Sequence, residues 1–212
     1  MTRNDRILMR RFLSCLLLLL VPSQGLARAA LPPLTVECRA QFARTANHAG
    51  LVKLYGARNV TYENVNRPEG EVVKATVLFA KNPRRRLEIE WFDDTRRRFP
   101  STITVFGENN RWVGPLGIRN GMTIQEVEQR AGRPFKISGF GFDGAGAGHF
   151  EETLLASLPG GCSFRSNFEI ETDASVQALD RVNGDIEIDS NDPALLALKP
   201  RLWIYTLSYP VP

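Results

Sequence analysis

The sequence predicts an α+β, strand-rich fold of two tandem modules, each a helix followed by an antiparallel meander, behind a cleaved signal peptide. Three observations predict it. An export signal occupies residues 1–29. Two short segments with helical apolar spacing are each followed by several segments typical of strands. Matching features of the two halves lie 76 residues apart.

The first segment has the three parts of a Sec-type signal. An apolar run, Leu16–Val21, is followed by the small-x-small pattern Ala27-Arg28-Ala29, and the run is too short to span a bilayer. We expect cleavage near Ala29 and a mature chain, without a transmembrane segment, that is periplasmic or secreted. The basic residues before the run are Arg3, Arg6, Arg10 and Arg11.

The net charge of the mature chain argues against nucleic-acid binding. The whole chain has 27 Lys and Arg against 23 Asp and Glu. Removing the five Arg and single Asp of residues 1–29 leaves 22 of each sign. A nucleic-acid site needs a basic surface that persists after cleavage.

Two cysteines remain after cleavage, because Cys15 lies in the signal. In an oxidising compartment, Cys38 and Cys162 form an even pair, and we predict that they form a disulfide. The alternative is two separately buried thiols, which would pack as small hydrophobic groups.

The first module, residues 30–110, begins with a helix predicted over Ala46–Tyr55 and ended by Gly56. Four strands are predicted after it. They are Val60–Val65, Val72–Phe79, Leu87–Phe92 and Thr102–Phe106.

The second module, residues 111–212, has the better marked helix. Thr123 and Glu126 form a capping box, Gly132 stands at the C′ position, and Pro134 prevents continuation. An insert at 175–200 includes a short helix that Asp192-Pro193 begins. The predicted strands are Phe135–Phe140, His149–Ala156, Ser163–Glu171, Asp185–Asp189 and Leu202–Ser208.

Two spacings support a duplication, and a hinge separates the halves. Gly56 lies 76 residues before Gly132, and Leu87 lies 76 residues before Ser163. The hinge is predicted at Asn109–Gly121, where glycine and proline are frequent and where Trp112 would be the packing anchor.

The second helix carries a family resemblance. The stretch Gly117-Ile118-Arg119-Asn120-Gly121-Met122-Thr123-Ile124-Gln125-Glu126-Val127, followed by Gly132-Arg133-Pro134, resembles the helix signature of β-lactamase-inhibitor-protein-like folds. The small outer-membrane-assembly lipoproteins share that signature. The first half lacks the Gly-Met-Thr entry and the proline. The resemblance implies an αβ-meander module in an exported, non-enzymatic binding protein, and it transfers no catalytic residue.

Two patterns that suggest catalysis or nucleotide binding have simpler explanations. Gly139–Gly144 reads G-x-G-x-x-G, but the following Ala-Gly-Ala-Gly is a poor helix start, so we expect a long, mobile hairpin loop. A nucleophilic triad of Cys162, His149 and Asp143 can be written, but a disulfide would consume its thiol.

We expect no metal and no cofactor. His48 and His149 are too few and too distant for zinc. Calcium is conceivable at Asp185, Glu187 and Asp189, which share one face of a predicted strand. EF-hand spacing is absent, and a solvated strand face flanked by turns is the simpler explanation of these carboxylates.

The candidate partner-binding residues are two arginine triplets and three aromatic residues. The triplets bracket one predicted strand, so they could cluster on the surface and attract an anionic protein or lipid headgroup. Trp91 would serve as an interface anchor or as a core residue. The candidates are Arg84, Arg85, Arg86, Arg96, Arg97, Arg98, Trp91, Phe140 and Phe142.

The sequence therefore predicts an exported, non-enzymatic binding protein that engages a protein or envelope component, in the manner of an inhibitor or a scaffold. A curved sheet face and the Gly139–Gly148 loop would make the contact. The alternative is a small-ligand carrier or a hydrolase with its site between the two modules.

Overall fold

The structure, a computed structural model, describes residues 34–67, 70–142, 144–170 and 175–212. The predicted signal peptide and Asp143 lie outside these ranges. The described part is α+β and strand-rich, with four helices and a nine-stranded antiparallel sheet. The helices are α1 His48–Tyr55, α2 Ile124–Ala131, α3 Val176–Asp180 and α4 Pro193–Ala197.

The nine strands form one sheet in the order β1-β2-β3-β4-β9-β7-β6-β5-β8. Strand β9 lies between β4 and β7, so it joins strands from both halves of the chain. The strands are β1 Val60–Asn66, β2 Val72–Leu78, β3 Leu87–Asp93, β4 Arg98–Phe106, β5 Lys136–Ser138, β6 Ala147–His149, β7 Ser163–Glu169, β8 Glu187–Asp189 and β9 Arg201–Ser208.

Helix α1 begins two residues later than predicted, because Asn47 is its N-cap. The Asn47 side chain accepts a hydrogen bond from the Gly50 amide at 2.9 Å. Gly56 ends the helix with a φ of 83°, a conformation that glycine adopts without steric cost.

Helix α2 has the predicted ends. The Glu126 amide donates to Thr123 Oγ1 at 3.3 Å, and the Glu126 carboxylate accepts from the Thr123 amide at 2.8 Å. Gly132 caps the C-terminus in the left-handed region, with a φ of 85°. The capping box and the glycine stop are both confirmed.

The helices pack against one face of the sheet, here called the helix-covered face. Buried residues of α1, α2 and α4 belong to the same core cluster as inward-facing strand residues such as Ile103 and Tyr205, and α3 packs against that cluster. Trp112 is fully buried there and makes edge-on contacts with Phe42 and Tyr55 at centroid distances of 5.7 and 6.1 Å. Its predicted role as a packing anchor is confirmed.

The predicted strand His149–Ala156 is wrong. Strand β6 covers Ala147–His149, and the chain then turns instead of continuing along β7. The turns bury Phe150 and Leu155 in the core. Phe150 and Leu155 are five positions apart and would face opposite sides of a regular strand, whereas turns allow both to reach the same core.

Cys38 and Cys162 form a disulfide with a Cα–Cα distance of 6.0 Å. It connects the segment before α1 to the residue before β7. The disulfide and the α+β class are therefore features of the structure. The alternative of two free buried thiols is not what the structure contains.

Candidate functional site

The second face of the sheet, here called the open face, carries a strip of short hydroxyl side chains at its centre. Strand register places these side chains opposite one another across β4, β9 and β7: Thr104 pairs with Thr206, and Ser208 pairs with both Thr102 and Ser163. We call this set the hydroxyl strip. Its members are Thr102, Thr104, Ser163, Thr206 and Ser208.

The strip is recessed and only partly hydrogen-bonded. Thr104 and Ser208 are just 7% and 8% exposed, although they face away from the helix-covered core. Thr206 Oγ1 donates to Thr104 Oγ1 at 3.2 Å. Within the described part of the chain, the buried hydroxyls of Thr102 and Ser208 have no hydrogen-bond partner. Hydroxyls both donate and accept, so the strip offers unused bonding capacity to whatever contacts it.

A network of ion pairs lies along one side of the strip. Arg67 donates to Glu88 and Glu90 at 2.8 Å each, and Arg86 donates to Glu88 at 2.8 Å. The Glu88 side chain is only 6% exposed. Burial opposes the charge of Arg67, but the bonds to the two carboxylates outweigh it and raise the pKa of Arg67. These ion pairs hold the long arginine and glutamate side chains in place beside the short side chains of the hydroxyl strip.

On the other side of the hydroxyl strip, the open face carries charged and hydrogen-bonding side chains from β5, β6, β7 and β8. Lys136 of β5 contacts Asp189 of β8 at 2.7 Å, and this pair raises the pKa of Lys136. His149 Nε2 lies 2.8 Å from Ser138 Oγ. Arg165 extends from β7 opposite Thr206. The open face therefore presents hydrogen-bonding groups from β3 to β8, whereas its β1–β2 end carries a small apolar cluster of Val65, Ala75 and Val77.

The two arginine triplets do not form a single cluster. They stand at opposite ends of β3, whose seven residues span about 23 Å. Arg96 and Arg98 contact Asp93 at 3.5 and 2.7 Å. Arg97 lies over the Tyr62 ring at 4.6 Å. The triplet at 96–98 is therefore largely engaged within the molecule.

The other triplet is divided among three environments. Arg86 belongs to the ion-pair network, and Arg85 lies on the Phe79 ring with its guanidinium carbon 3.9 Å from the centroid. Arg84 is exposed. Its backbone is fixed, because the Arg84 carbonyl accepts from the Arg111 amide at 2.8 Å.

The three aromatic candidates differ in accessibility. Trp91 and Phe140 are both 6% exposed and belong to the core cluster, so their rings are covered in the free chain. Phe142 is 37% exposed. It lies in the connection between β5 and β6, which is a hairpin, as the pattern predicted.

Trp203 is an exposed aromatic residue that the sequence reasoning missed. It is the unpaired residue where the β7–β9 register shifts, and such a bulge redirects a side chain. With Pro83, Arg84 and Glu108 it lines a cavity of about 550 Å³. The sequence predicts a regular strand over Leu202–Ser208, and nothing local to Trp203 indicates the bulge.

In the described part of the chain, the structure adds no support for the nucleophilic triad or for the calcium site. Cys162 is in the disulfide, so it cannot serve as a thiol nucleophile in this form. Asp185 lies outside β8, whereas Glu187 and Asp189 lie opposite Ser138 and Lys136. The described residues contain no group of three or more metal-ligating side chains.

Comparison of the chain with family models, with curated proteins and with solved structures finds no match. Within the described ranges, no helix is long and apolar enough to cross a membrane.

Proposed function

We propose that this protein is an exported, non-enzymatic binding protein that engages a protein or another envelope component through the open face. The observation that supports this most is the hydroxyl strip, where buried hydroxyls find no hydrogen-bond partner among the described residues, on a face that the helix-covered core does not use. Unsatisfied buried polar groups are costly, and a bound partner would satisfy them.

The relief of the open face suits a protein partner. Short side chains over three adjacent strands form a floor, and the ion-pair network stands beside it as a fixed wall. A loop or strand of a partner could approach the floor closely and bond to several hydroxyls at once. Inhibition of an envelope enzyme and a scaffold role both require no more than such complementarity.

The tandem arrangement is part of the proposal. Helices α1 and α2 each have eight residues and begin 76 positions apart, at His48 and Ile124. Strands β3 and β7 each have seven residues and begin 76 positions apart, at Leu87 and Ser163. The sheet order β1-β2-β3-β4 is mirrored by β5-β6-β7-β9 across the β4–β9 pair. These equalities support a duplicated helix-plus-meander unit.

Affinity purification of the tagged protein from envelope and culture medium tests the proposal. The informative variant is Thr206→Lys, which places a long cation in the middle of the strip. The matched control is Gln129→Lys on the exposed side of α2. We expect the parent and the control to recover the same stoichiometric partner and Thr206→Lys to lose it. Equal recovery by all three, or no partner in either fraction, contradicts the proposal.

A further inference from the structure

A cavity of about 590 Å³ lies at the corner of the sheet where β1 begins and β2 ends. Its lining includes three cationic side chains, Arg58, Lys81 and Arg85, which we call the basic basin. Arg58 precedes β1, Lys81 is in the turn after β2, and Arg85 is in the connection that leads into β3. Residues that are separate in the sequence are thus brought around one space by strand pairing.

Arg85 is held in place from several directions. Its guanidinium carbon lies 3.9 Å from the centroid of the Phe79 ring. Its amide donates to the Asn82 carbonyl at 2.9 Å, and its carbonyl accepts from Trp112 Nε1 at 2.7 Å. The Nε atom of Arg85 is buried and has no hydrogen-bond partner among the described residues. The contact with Phe79 fixes the guanidinium of a residue that lines the cavity, which preorganises it for an acceptor there.

The positive charge of the basin exceeds its negative charge, with three cations against one carboxylate. Glu63 is the one acidic residue among those that line this cavity. It is already engaged, by Arg86 at 3.4 Å and by the Thr61 hydroxyl at 3.0 Å. In the described ranges, Arg58, Lys81 and Arg85 have no ion pair within 4.0 Å. Three like charges around one cavity repel one another, and an anion placed between them would relieve that repulsion.

We propose that the basic basin binds a phosphate-type oxyanion. Two guanidinium groups and an ammonium group can donate to several oxygens of one tetrahedral anion, which is the recognition chemistry that phosphate requires. Free phosphate and the phosphate of a lipid headgroup share this chemistry. The site is distinct from the hydroxyl strip, and the proposal does not depend on the identity of any protein partner.

Titration of the purified protein with inorganic phosphate, at constant ionic strength maintained with chloride, tests the site. The direct readout is the Arg85 Nε–H resonance in a nitrogen–proton correlation spectrum, assigned by its loss in Arg85→Lys. We expect this resonance to move with saturation as phosphate is added. Lys81→Gln and Arg58→Gln change exposed side chains, and each should weaken binding about tenfold, the loss expected for one charge-assisted hydrogen bond.

Arg84→Gln is the matched control, because Arg84 is the exposed neighbour of Arg85 but does not line the basin. It should bind phosphate as the parent does. Equal weakening by Arg84→Gln and Lys81→Gln would indicate general charge screening and overturn the proposal. An Arg85 resonance that does not respond to phosphate would overturn it as well. Unfolding midpoints of all variants would show that each is folded.

Co-sedimentation with vesicles distinguishes the two sources of the oxyanion. Phosphatidylcholine vesicles with and without phosphatidic acid are compared, since phosphatidic acid presents a phosphate monoester. Sedimentation that requires phosphatidic acid and is lost in Lys81→Gln assigns the site to a headgroup. Phosphate binding without sedimentation assigns it to a soluble phosphate compound.

Discussion

A single hydroxyl, that of Thr76, connects two side chains from different parts of the chain. Trp91 Nε1 donates to Thr76 Oγ1 at 2.9 Å, and His48 Nδ1 lies 2.9 Å from the same oxygen. Indole nitrogen can only donate, so the Thr76 hydroxyl accepts from Trp91, and its remaining hydrogen-bonding capacity serves His48 Nδ1 as donor or acceptor, according to the histidine tautomer. This explains why Trp91, a candidate interface residue, is bound inside the fold.

Replacing Thr76 with Val tests the importance of this hydroxyl. The substitution keeps the shape but leaves the buried Trp91 N–H without an acceptor, so we expect a loss of about 1–3 kcal/mol in unfolding free energy. Thr102→Val is the control, because the Thr102 hydroxyl has no partner in the described part of the chain. Urea denaturation should show little change for the control. Equal losses for both variants would contradict the argument.

His48 should make the stability depend on pH in a narrow window. Burial, and then the charge of Arg97, lower the pKa of His48 below its usual 6.5. The unfolded chain therefore binds a proton at His48 more readily than the folded chain does. The stability that neutral His48 contributes is fully present above about pH 6.5 and is lost as pH falls through the folded pKa.

The measurement is the urea midpoint of the parent and of His48→Gln between pH 7.5 and 5.5. The parent should lose more stability than the variant over this range. Identical slopes would show that other groups cause the dependence. Asp93 affects the pH dependence of stability only below this window. Its bonds to the Arg96 amide and the Arg98 side chain lower its pKa, so its stabilising contribution is lost as pH falls below the usual carboxyl range.

The helices and strands that the sequence predicts correctly are those whose signals are local in the chain. Helix α2 was predicted with its cap and its stop because Thr123, Glu126 and Gly132 act within one turn of each helix end. The strand predicted at His149–Ala156 is wrong, because Phe150 and Leu155 are five positions apart and both reach the same core, which turns permit and a regular strand does not.

The capping box of α2 should stabilise the N-terminus of the helix. Thr123→Ala removes the acceptor for the Glu126 amide, and we expect it to lower the unfolding free energy by about 1 kcal/mol. Gln125→Ala, on the exposed surface of the same helix, should leave stability nearly unchanged or slightly higher. Thermal unfolding of the three proteins provides the comparison. A larger loss from Gln125→Ala than from Thr123→Ala would refute the capping argument.

The candidate sites depend on the order of strands in the sheet, which no local pattern encodes. The hydroxyl strip exists because β9, the last strand, lies between β4 and β7 and brings Thr206 beside Thr104. Alternation within each segment indicates which residues share a face but not which strands are neighbours. The sequence places the arginine triplets at the two ends of one predicted strand, whereas the contacts of Arg96 and Arg98 with Asp93 required the structure.

The disulfide gives the prediction that concerns the molecule as a whole. It links residues 124 positions apart and fixes the first described segment, which also pairs with Val113 through the Val36 amide at 2.8 Å. Closing so long a loop restricts the unfolded chain, and the entropy model sets a ceiling of about 4–5 kcal/mol. We expect the Cys38→Ala/Cys162→Ala double variant to lose about 2–4 kcal/mol in urea denaturation, with the native far-ultraviolet spectrum retained.

Alkylation followed by intact-mass measurement is the control on the parent. Two adducts should form at these cysteines only after reduction, and full labelling without reductant would show that the bond is absent. Because the double variant keeps both helix caps and the whole β4–β9 ladder, it should still fold at neutral pH, and its lower stability would then measure the cross-link itself.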